Sequence, residues 1–209
     1  MAYFPFFTDI EGQNCLIVGG GKVALRKAEK LLPYGPVIHV VSPDFAEEFS
    51  AMKTLRLERG PFCPEMLEGM SFVIAAANNT ELNHRVSALC RERNIPVNVV
   101  DDRAACSFLF PALVKRGALS VGISTGGASP SAAIYLKEQI NALLPDRLDE
   151  ILAFLDSART DVKNTFPREE DRAAVFKELF FLCMQQKAPL TPERFGEFLS
   201  ERSKLQNGS

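Results

Sequence analysis

The 209-residue sequence predicts an α/β fold in which a parallel, doubly wound β-sheet comes first, a small β/helical segment follows, and a helical C-terminal domain ends the chain. Three observations lead to this prediction. An apolar run at residues 15–18 leads directly into three glycines and then into a helical pattern. Strand and helix patterns then alternate, about every 25 to 30 residues, as far as residue 112. Beyond Pro145 the apolar spacing is helical throughout.

The first predicted domain, residues 1–112, contains the alternating strands and helices. Strand patterns cover residues 14–18, 37–41, 71–77 and 96–100, with a short edge strand at 55–58. Helical patterns cover residues 22–32 and 81–93, where apolar residues recur at helical spacing. Parallel strands connected through helices in this order form a Rossmann-like sheet.

Two further domains are predicted, at residues 113–145 and 146–209. Stretches rich in β-formers at 107–113 and 118–124 are joined by a basic turn at 115–117. In the second glycine-rich turn, Ser129 suits a helix N-cap and Pro130 the first helical position. The remaining chain carries two apolar helical stripes and a last short helix after residue 191, which suit core or dimer packing.

The glycine-rich turn between the first strand and the first helix has the spacing of a dinucleotide-binding loop. Gly19, Gly21 and Ala24 match the pattern G-x-G-x-x-G/A. Gly19 permits a tight turn, Gly21 lets phosphates approach the backbone, and Ala24 lets the helix lie close to the strand. The free N–H groups at the helix start attract anions. The predicted cofactor-binding residues are Gly19, Gly21, Lys22, Val23, Ser42, Pro43, Asp44 and Asn78.

The end of the second strand is expected to face the adenosine ribose. No acid lies at the strand tip itself, and Asp44 is the nearest candidate, either as a ribose ligand or as a helix cap. No Arg or Lys follows beside it to receive a 2′-phosphate, which favours NAD over NADP. Asn78 and its polar neighbours after the 71–77 strand suit either the cofactor crevice or capping.

Composition excludes several classes of protein. The net charge of −2 favours neither nucleic acid nor an anionic membrane, and no apolar run approaches the roughly 20 residues of a membrane span. The N-terminus lacks the pattern of a signal peptide. Five scattered cysteines are typical of reduced thiols in a cytoplasmic protein, with neither a disulfide framework nor a zinc site expected.

Four ordered motifs resemble one known family. They are Gly19-Gly-Gly-x-Val-Ala-x-Arg-Lys27, Asn98-Val-Val-Asp101, Ser107-Phe-x-x-Pro111 and Ser124-Thr-Gly-Gly-Ala-Ser-Pro130. Together they resemble precorrin-2 dehydrogenase, the N-terminal module of siroheme synthase and its stand-alone relatives. The resemblance implies NAD-dependent oxidation of precorrin-2 to sirohydrochlorin, followed in some members by iron insertion. It also implies a homodimer built through residues 113–145.

The resemblance, together with chain position, suggests the residues that act on the substrate. Asp101 follows a central strand at its carboxyl end, where open α/β sheets bind ligands, and the matching family residue is the proposed general base. A loop or capping role is the alternative, and Asp102 beside it could substitute for it or shift its pKa. Cys106 is expected to be a small buried filler. The predicted substrate-binding residues are Asn98, Arg103, Ser107, Lys115 and Arg116, although the cations could equally be surface charges.

A second hypothesis, from a different functional class, is an NAD-sensing regulatory domain without catalysis. Its glycine loop would look the same, because cofactor binding needs the same turn in either case. It would not need the motifs at 98–101 and 107–111. The two histidines, His39 and His84, lie far apart in sequence and predict no metal site.

Overall fold

The computed structural model describes residues 3–207, with side chains to residue 205. The outermost residues of the first and last predicted domains, 1–2 and 208–209, lie outside the described residues. The chain divides into two compact units. One spans Phe6–Phe110, and the other begins at Pro111 and includes residues 3–5. The three-domain division stays a prediction.

The unit at Phe6–Phe110 is built on one parallel five-stranded sheet. The strands are β1 (Asn14–Val18), β2 (Val37–Ser42), β3 (Arg56–Arg59), β4 (Phe72–Ala75) and β5 (Val97–Val99), in the spatial order β3-β2-β1-β4-β5. Two helices connect them, α1 (Lys22–Leu31) and α2 (Thr80–Glu92). Short 3-10 turns cover Leu32–Tyr34, Glu47–Ala51 and Pro64–Leu67. The predicted Rossmann-like sheet is confirmed, with β3 as its short edge strand.

Both faces of this sheet are covered, which is why its central strands read as continuous apolar runs. Along β1, Cys15 and Ile17 pack with Ala24 and Ala28 of α1 on one face. The alternate residues of β1 pack on the other face with residues of α2. Because period-2 alternation sends successive side chains to opposite layers, every position of the buried strand must be apolar.

The second unit contains a two-stranded hairpin followed by helices. Strands β6 (Ala112–Arg116) and β7 (Leu119–Ile123) pair antiparallel. The helices are α3 (Pro130–Leu143), α4 (Leu148–Ser157), α5 (Arg159–Thr165), α6 (Glu169–Gln186) and α7 (Pro192–Asn207). Ser129 caps α3 as predicted, its Oγ accepting a hydrogen bond from Ala132 N at 3.1 Å. No helix in the described part of the chain is long and apolar enough to cross a membrane.

The stretch at 107–113, rich in β-formers, lies in a strand only at its last two residues. Strand β6 begins only at Ala112, because residues 107–108 fold back along β5. Ser107 N donates to Val97 O at 2.8 Å, which ties the segment to the first unit. Lys115 and Arg116, predicted in a connecting turn, lie within β6. The last helix, α7, has 16 residues and is longer than expected.

Candidate active site

A cavity of about 930 Å³ lies at the carboxyl edge of the five-stranded sheet. It opens over the glycine loop, between the ends of β1, β2 and β4 and the starts of α1 and α2. Its volume is in the range of pockets that hold cofactors. Its lining residues include Gly19, Gly20, Gly21, Lys22, Ser42, Pro43, Asp44, Phe45, Phe62, Asn78, Glu81 and Arg85.

The three glycines of the loop have different physical roles. Gly19 has φ +124°, and a Cβ there would overlap the Ala76 carbonyl. A Cβ on Gly20 would overlap the carbonyl of Asp44, and Gly20 O accepts a hydrogen bond from Ala46 N at 2.8 Å. Gly21 has an ordinary φ of −84°, and a Cβ there would meet nothing within 4 Å. The fold therefore requires glycine at positions 19 and 20. At position 21 a side chain would meet no protein atom, so glycine is required there only if a ligand occupies the cavity.

This cradle fits the pyrophosphate of a dinucleotide. Gly21 is the N-cap of α1, and no acidic residue lies in the first turn of that helix. The backbone N–H groups of a first helical turn have no intrahelical acceptors, so they and the helix dipole favour an anion. The open space at Gly21 lies where that anion would approach. The cofactor would supply a hydride acceptor.

Seven of the predicted cofactor residues line the cavity; Val23 does not and lies half-buried in α1. Asp44 is exposed at the cavity edge. It does not cap a helix, because the next short helix begins after Ala46 with no side-chain cap. Asn79, and not Asn78, caps α2 by accepting from Leu82 N at 3.0 Å. The contacts of these residues with a cofactor remain predictions.

Several cavity residues were not foreseen from the sequence. Phe45, Phe62 and Arg85 line the space, and Arg59 lies with its guanidinium carbon 5.9 Å from the centroid of the Phe45 ring. The pairing of β3 with β2 puts Arg59 opposite Ser42. The sequence predicted no cation beside the adenosine ribose because that prediction used only the residues next to Asp44 in the chain. Strand register, which brings this arginine close, was the missing signal.

Asp101 lies in a turn just after β5, at the same edge of the sheet. It is exposed and has φ +61°, a left-handed conformation that costs about 1 kcal/mol for a residue with a Cβ. Such a conformation persists where neighbouring groups fix the chain. Here the groups that do so are Asp102 and Cys106.

Asp102 is a structural residue of this turn. Its Oδ1 accepts from Ala104 N at 2.9 Å and Ala105 N at 3.1 Å, and its Oδ2 lies 2.7 Å from Nε2 of His84. The hydrogen bond from His84, with those from the backbone, holds the pKa of Asp102 below its usual value. Asp102 is thus committed to shaping the turn.

Cys106 is more than the expected filler. Its Sγ accepts from Val99 N at 3.1 Å and from Asn98 Nδ2 at 3.4 Å, and it lies 3.2 Å from Asp102 O as a donor. The thiol therefore closes the base of the loop that carries Asp101. A sulfur at this point satisfies backbone groups at both ends of the turn.

The predicted substrate residues fall into two groups. Asn98 is 5% exposed, and its carboxamide is bonded to Lys27, Cys106 and Phe108 within the domain. The Ser107 hydroxyl accepts from Val97 N at 2.7 Å. These two side chains are held inside the first unit. The second group is three cations. Arg103 is half-buried and lies two residues after Asp101. Lys115, whose Nζ donates to Gly117 O at 2.6 Å, and the half-buried Arg116 belong to the second unit.

The parallel sheet, the glycine cradle and the cavity above it define a dinucleotide-binding α/β protein. The sequence model of the family described as "Putative NAD(P)-binding" matches residues 6–112, and the chain belongs to that family. The match covers the whole of the five-stranded unit.

Curated relatives extend the similarity beyond that unit. The chain is 38% identical over 183 residues to a siroheme synthase of Nitrosomonas eutropha, covering 86% of this chain and 38% of the relative. A siroheme synthase of Photorhabdus laumondii is 37% identical over 86% of this chain and 39% of its own length. The chain thus spans about two fifths of the length of these relatives.

Among solved structures, SirC, a precorrin-2 dehydrogenase, superposes with a TM-score of 0.68 at 25% identity. The match covers 97% of this chain and 100% of SirC. The predicted fold class, including the helical C-terminal part, is confirmed by this match.

Proposed function

We propose that this protein catalyses the NAD-dependent dehydrogenation of precorrin-2 to sirohydrochlorin. The observation that carries the proposal is the presence, at one sheet edge, of a glycine cradle open to a pyrophosphate and a fixed aspartate turn. Similarity to SirC over nearly the whole chain and to siroheme synthases over 86% of it supports the substrate. The reaction converts precorrin-2 and NAD⁺ to sirohydrochlorin, NADH and a proton.

Asp101 is the residue proposed to take the proton. The substrate loses a hydride and a proton, and an exposed carboxylate at the carboxyl edge of the sheet is chemically suited to accept the latter. Arg103, Lys115 and Arg116 are proposed to bind the substrate carboxylates. Arginine can bind a carboxylate through two hydrogen bonds, and lysine acts as a point charge.

A homodimer is part of the proposal. Helix α3 carries exposed apolar side chains at Ile134 (53%), Tyr135 (60%) and Leu143 (81%). Contact with a second copy of the chain would remove these apolar side chains from water. A two-fold dimer is the commonest assembly of soluble oligomeric proteins. We place the protein in the cytoplasm, with the tetrapyrrole and a second copy as partners, and without nucleic acid or membrane partners.

The deciding experiment mixes the protein with NAD and precorrin-2 and follows absorbance of the tetrapyrrole and of NADH. Equal appearance of sirohydrochlorin and NADH is expected. Binding of NAD without turnover would favour the alternative, an NAD-sensing regulatory domain. Adding ferrous iron after completion tests the second activity, insertion of iron into sirohydrochlorin, which the family resemblance attaches to some members.

A further inference from the structure

Lys27 is a half-buried cation that the proposed reaction does not yet use. It lies on α1, and its Nζ is 4.0 Å from the centroid of the Phe110 ring and 3.1 Å from Oδ1 of Asn98. Across residues 3–205, no carboxylate lies within ion-pair distance of it. The ammonium is therefore stabilised by an aromatic face and an amide oxygen.

The charges around Lys27 come from two elements. On its own helix, Lys30 and Arg26 repel the ammonium, whereas Asp101, after β5, attracts it, as does Cys106 when its thiol is ionised. Burial, first, and the repulsion by Lys30, second, lower the pKa of Lys27 to about 8. The side chain is consequently a cation at neutral pH and loses its proton in mildly alkaline solution.

The amide of Asn98 transmits the orientation of Lys27 to the Asp101 turn. An ammonium has only donors, so it fixes the Asn98 oxygen toward itself. Both N–H groups then point to the other side, where Nδ2 donates to Phe108 O at 3.0 Å and to Cys106 Sγ at 3.4 Å. Cys106 in turn closes the turn through Val99 N and Asp102 O.

We propose that Lys27 is a positioning residue for Asp101: its ammonium sets the orientation of the Asn98 amide, which holds Cys106 and thereby the turn that presents the carboxylate. This inference rests on the proposed dehydrogenase function for its catalytic consequence. The hydrogen-bonded chain itself is independent of which substrate the protein oxidises.

Three variants test the role of the charge. Lys27→Met keeps the length and packing on Phe110 but removes the ammonium. Lys27→Arg keeps a donor and a charge that is not lost in alkaline solution. Lys30→Met, three residues along the same helix, removes an exposed cation and with it the repulsion that lowers the Lys27 pKa.

The readout in the active enzyme is the pH profile of kcat, with KM and NAD affinity measured separately. Wild type should lose activity as the pH rises through about 8, when Lys27 becomes neutral. Lys27→Met should lower kcat at neutral pH by roughly 10–100-fold, part of the worth of a positioned base, with unchanged NAD affinity. Lys27→Arg should retain activity and lack the alkaline decline. Lys30→Met should retain neutral activity and show the decline at higher pH.

A second readout needs no turnover. The Val99 amide donates to Cys106 Sγ at 3.1 Å, so hydrogen exchange of this amide at neutral pH reports whether the thiol holds the turn. The exchange should be several-fold faster in Lys27→Met than in wild type, and unchanged in Lys27→Arg. Unchanged exchange in Lys27→Met, or an alkaline decline that persists in Lys27→Arg, would overturn the positioning role. If the Val99 amide exchanges faster in Lys27→Met but wild type does not oxidise precorrin-2, only the proposed function is overturned.

Discussion

Replacing Gly21 by valine tests whether the glycine at this position serves folding stability or cofactor binding. At φ −84° and ψ −179° the backbone is extended, which valine adopts readily, and an added Cβ meets nothing within 4 Å. The cost to folding is then only that of a poor N-cap, about 0.5–1.5 kcal/mol. For a chain of this size that lowers Tm by roughly 1–6 °C.

The effect on the cofactor should be far larger. The valine side chain would occupy the space beside the first turn of α1, where the pyrophosphate would bind. Hydrogen bonds to a charged group contribute about 1.5–3 kcal/mol each. Losing two of the weaker ones costs about 3 kcal/mol, which is roughly a 100-fold loss of NAD affinity.

Titration calorimetry with NAD, paired with thermal unfolding of the same samples, measures both effects. Gly20→Ala is the contrasting variant, since its Cβ would overlap the Asp44 carbonyl and should destabilise the fold itself. A folded Gly21→Val protein that binds NAD as tightly as wild type would show that the phosphates bind elsewhere, and the reasoning from the cradle would be wrong.

Three further outcomes are expected. Asp101→Asn should fold, because asparagine tolerates φ +61°, and should still bind NAD. Its turnover of precorrin-2 should fall roughly 10²–10⁴-fold. Turnover within threefold of wild type would show that another residue is the general base. Leu143 is 81% exposed, so Leu143→Glu should keep the fold and convert the dimer to a monomer, as measured by light scattering. A mass near 23.1 kDa for wild type at micromolar concentration would refute the dimer. The pKa of Asp102 is lower in the folded protein than in the unfolded chain, so its carboxylate stabilises the fold above the unfolded pKa. That stabilisation is lost as the pH falls through the folded-state pKa. The free energy of unfolding of Asp102→Asn, measured by circular dichroism, should therefore depend less on pH in acid than that of wild type.

The sheet could be predicted from sequence because local signals agree there with tertiary structure. The apolar run of β1 and the turn at Gly19 are determined within a few residues of each other. The apolar run, residues 15–18, belongs to a strand buried on two faces, and Gly19 follows it directly. The hairpin boundary was missed because residue 107 pairs its backbone with Val97, ten positions away, and no local pattern records such a contact.

The candidate site was predictable only where it follows the chain. Seven of the eight predicted cofactor residues line the cavity because strand ends and helix starts meet at one edge of a parallel sheet. Arg59 was missed because its approach to Ser42 depends on the register of an edge strand. The hydrogen bonds of Cys106 and Lys27 could not be predicted for the same reason, because most of their partners come from other elements that only the folded chain brings together.

The energetics of Lys27 suggest that its charge serves the Asp101 turn more than the stability of the fold. Lowering a lysine pKa from 10.5 to about 8 corresponds to about 3 kcal/mol against folding at neutral pH, reduced by solvent screening to about 1–2 kcal/mol. This cost is relieved as pH rises from about 8 toward 10.5. Methionine at this position removes the cost but leaves the buried Asn98 oxygen without its partner, a penalty of about 1–3 kcal/mol. The two effects nearly cancel, so Lys27→Met should melt within a few degrees of wild type while its turnover falls. Stability alone would not distinguish lysine from methionine here, whereas the orientation of the Asn98 amide, and through it the Asp101 turn, does.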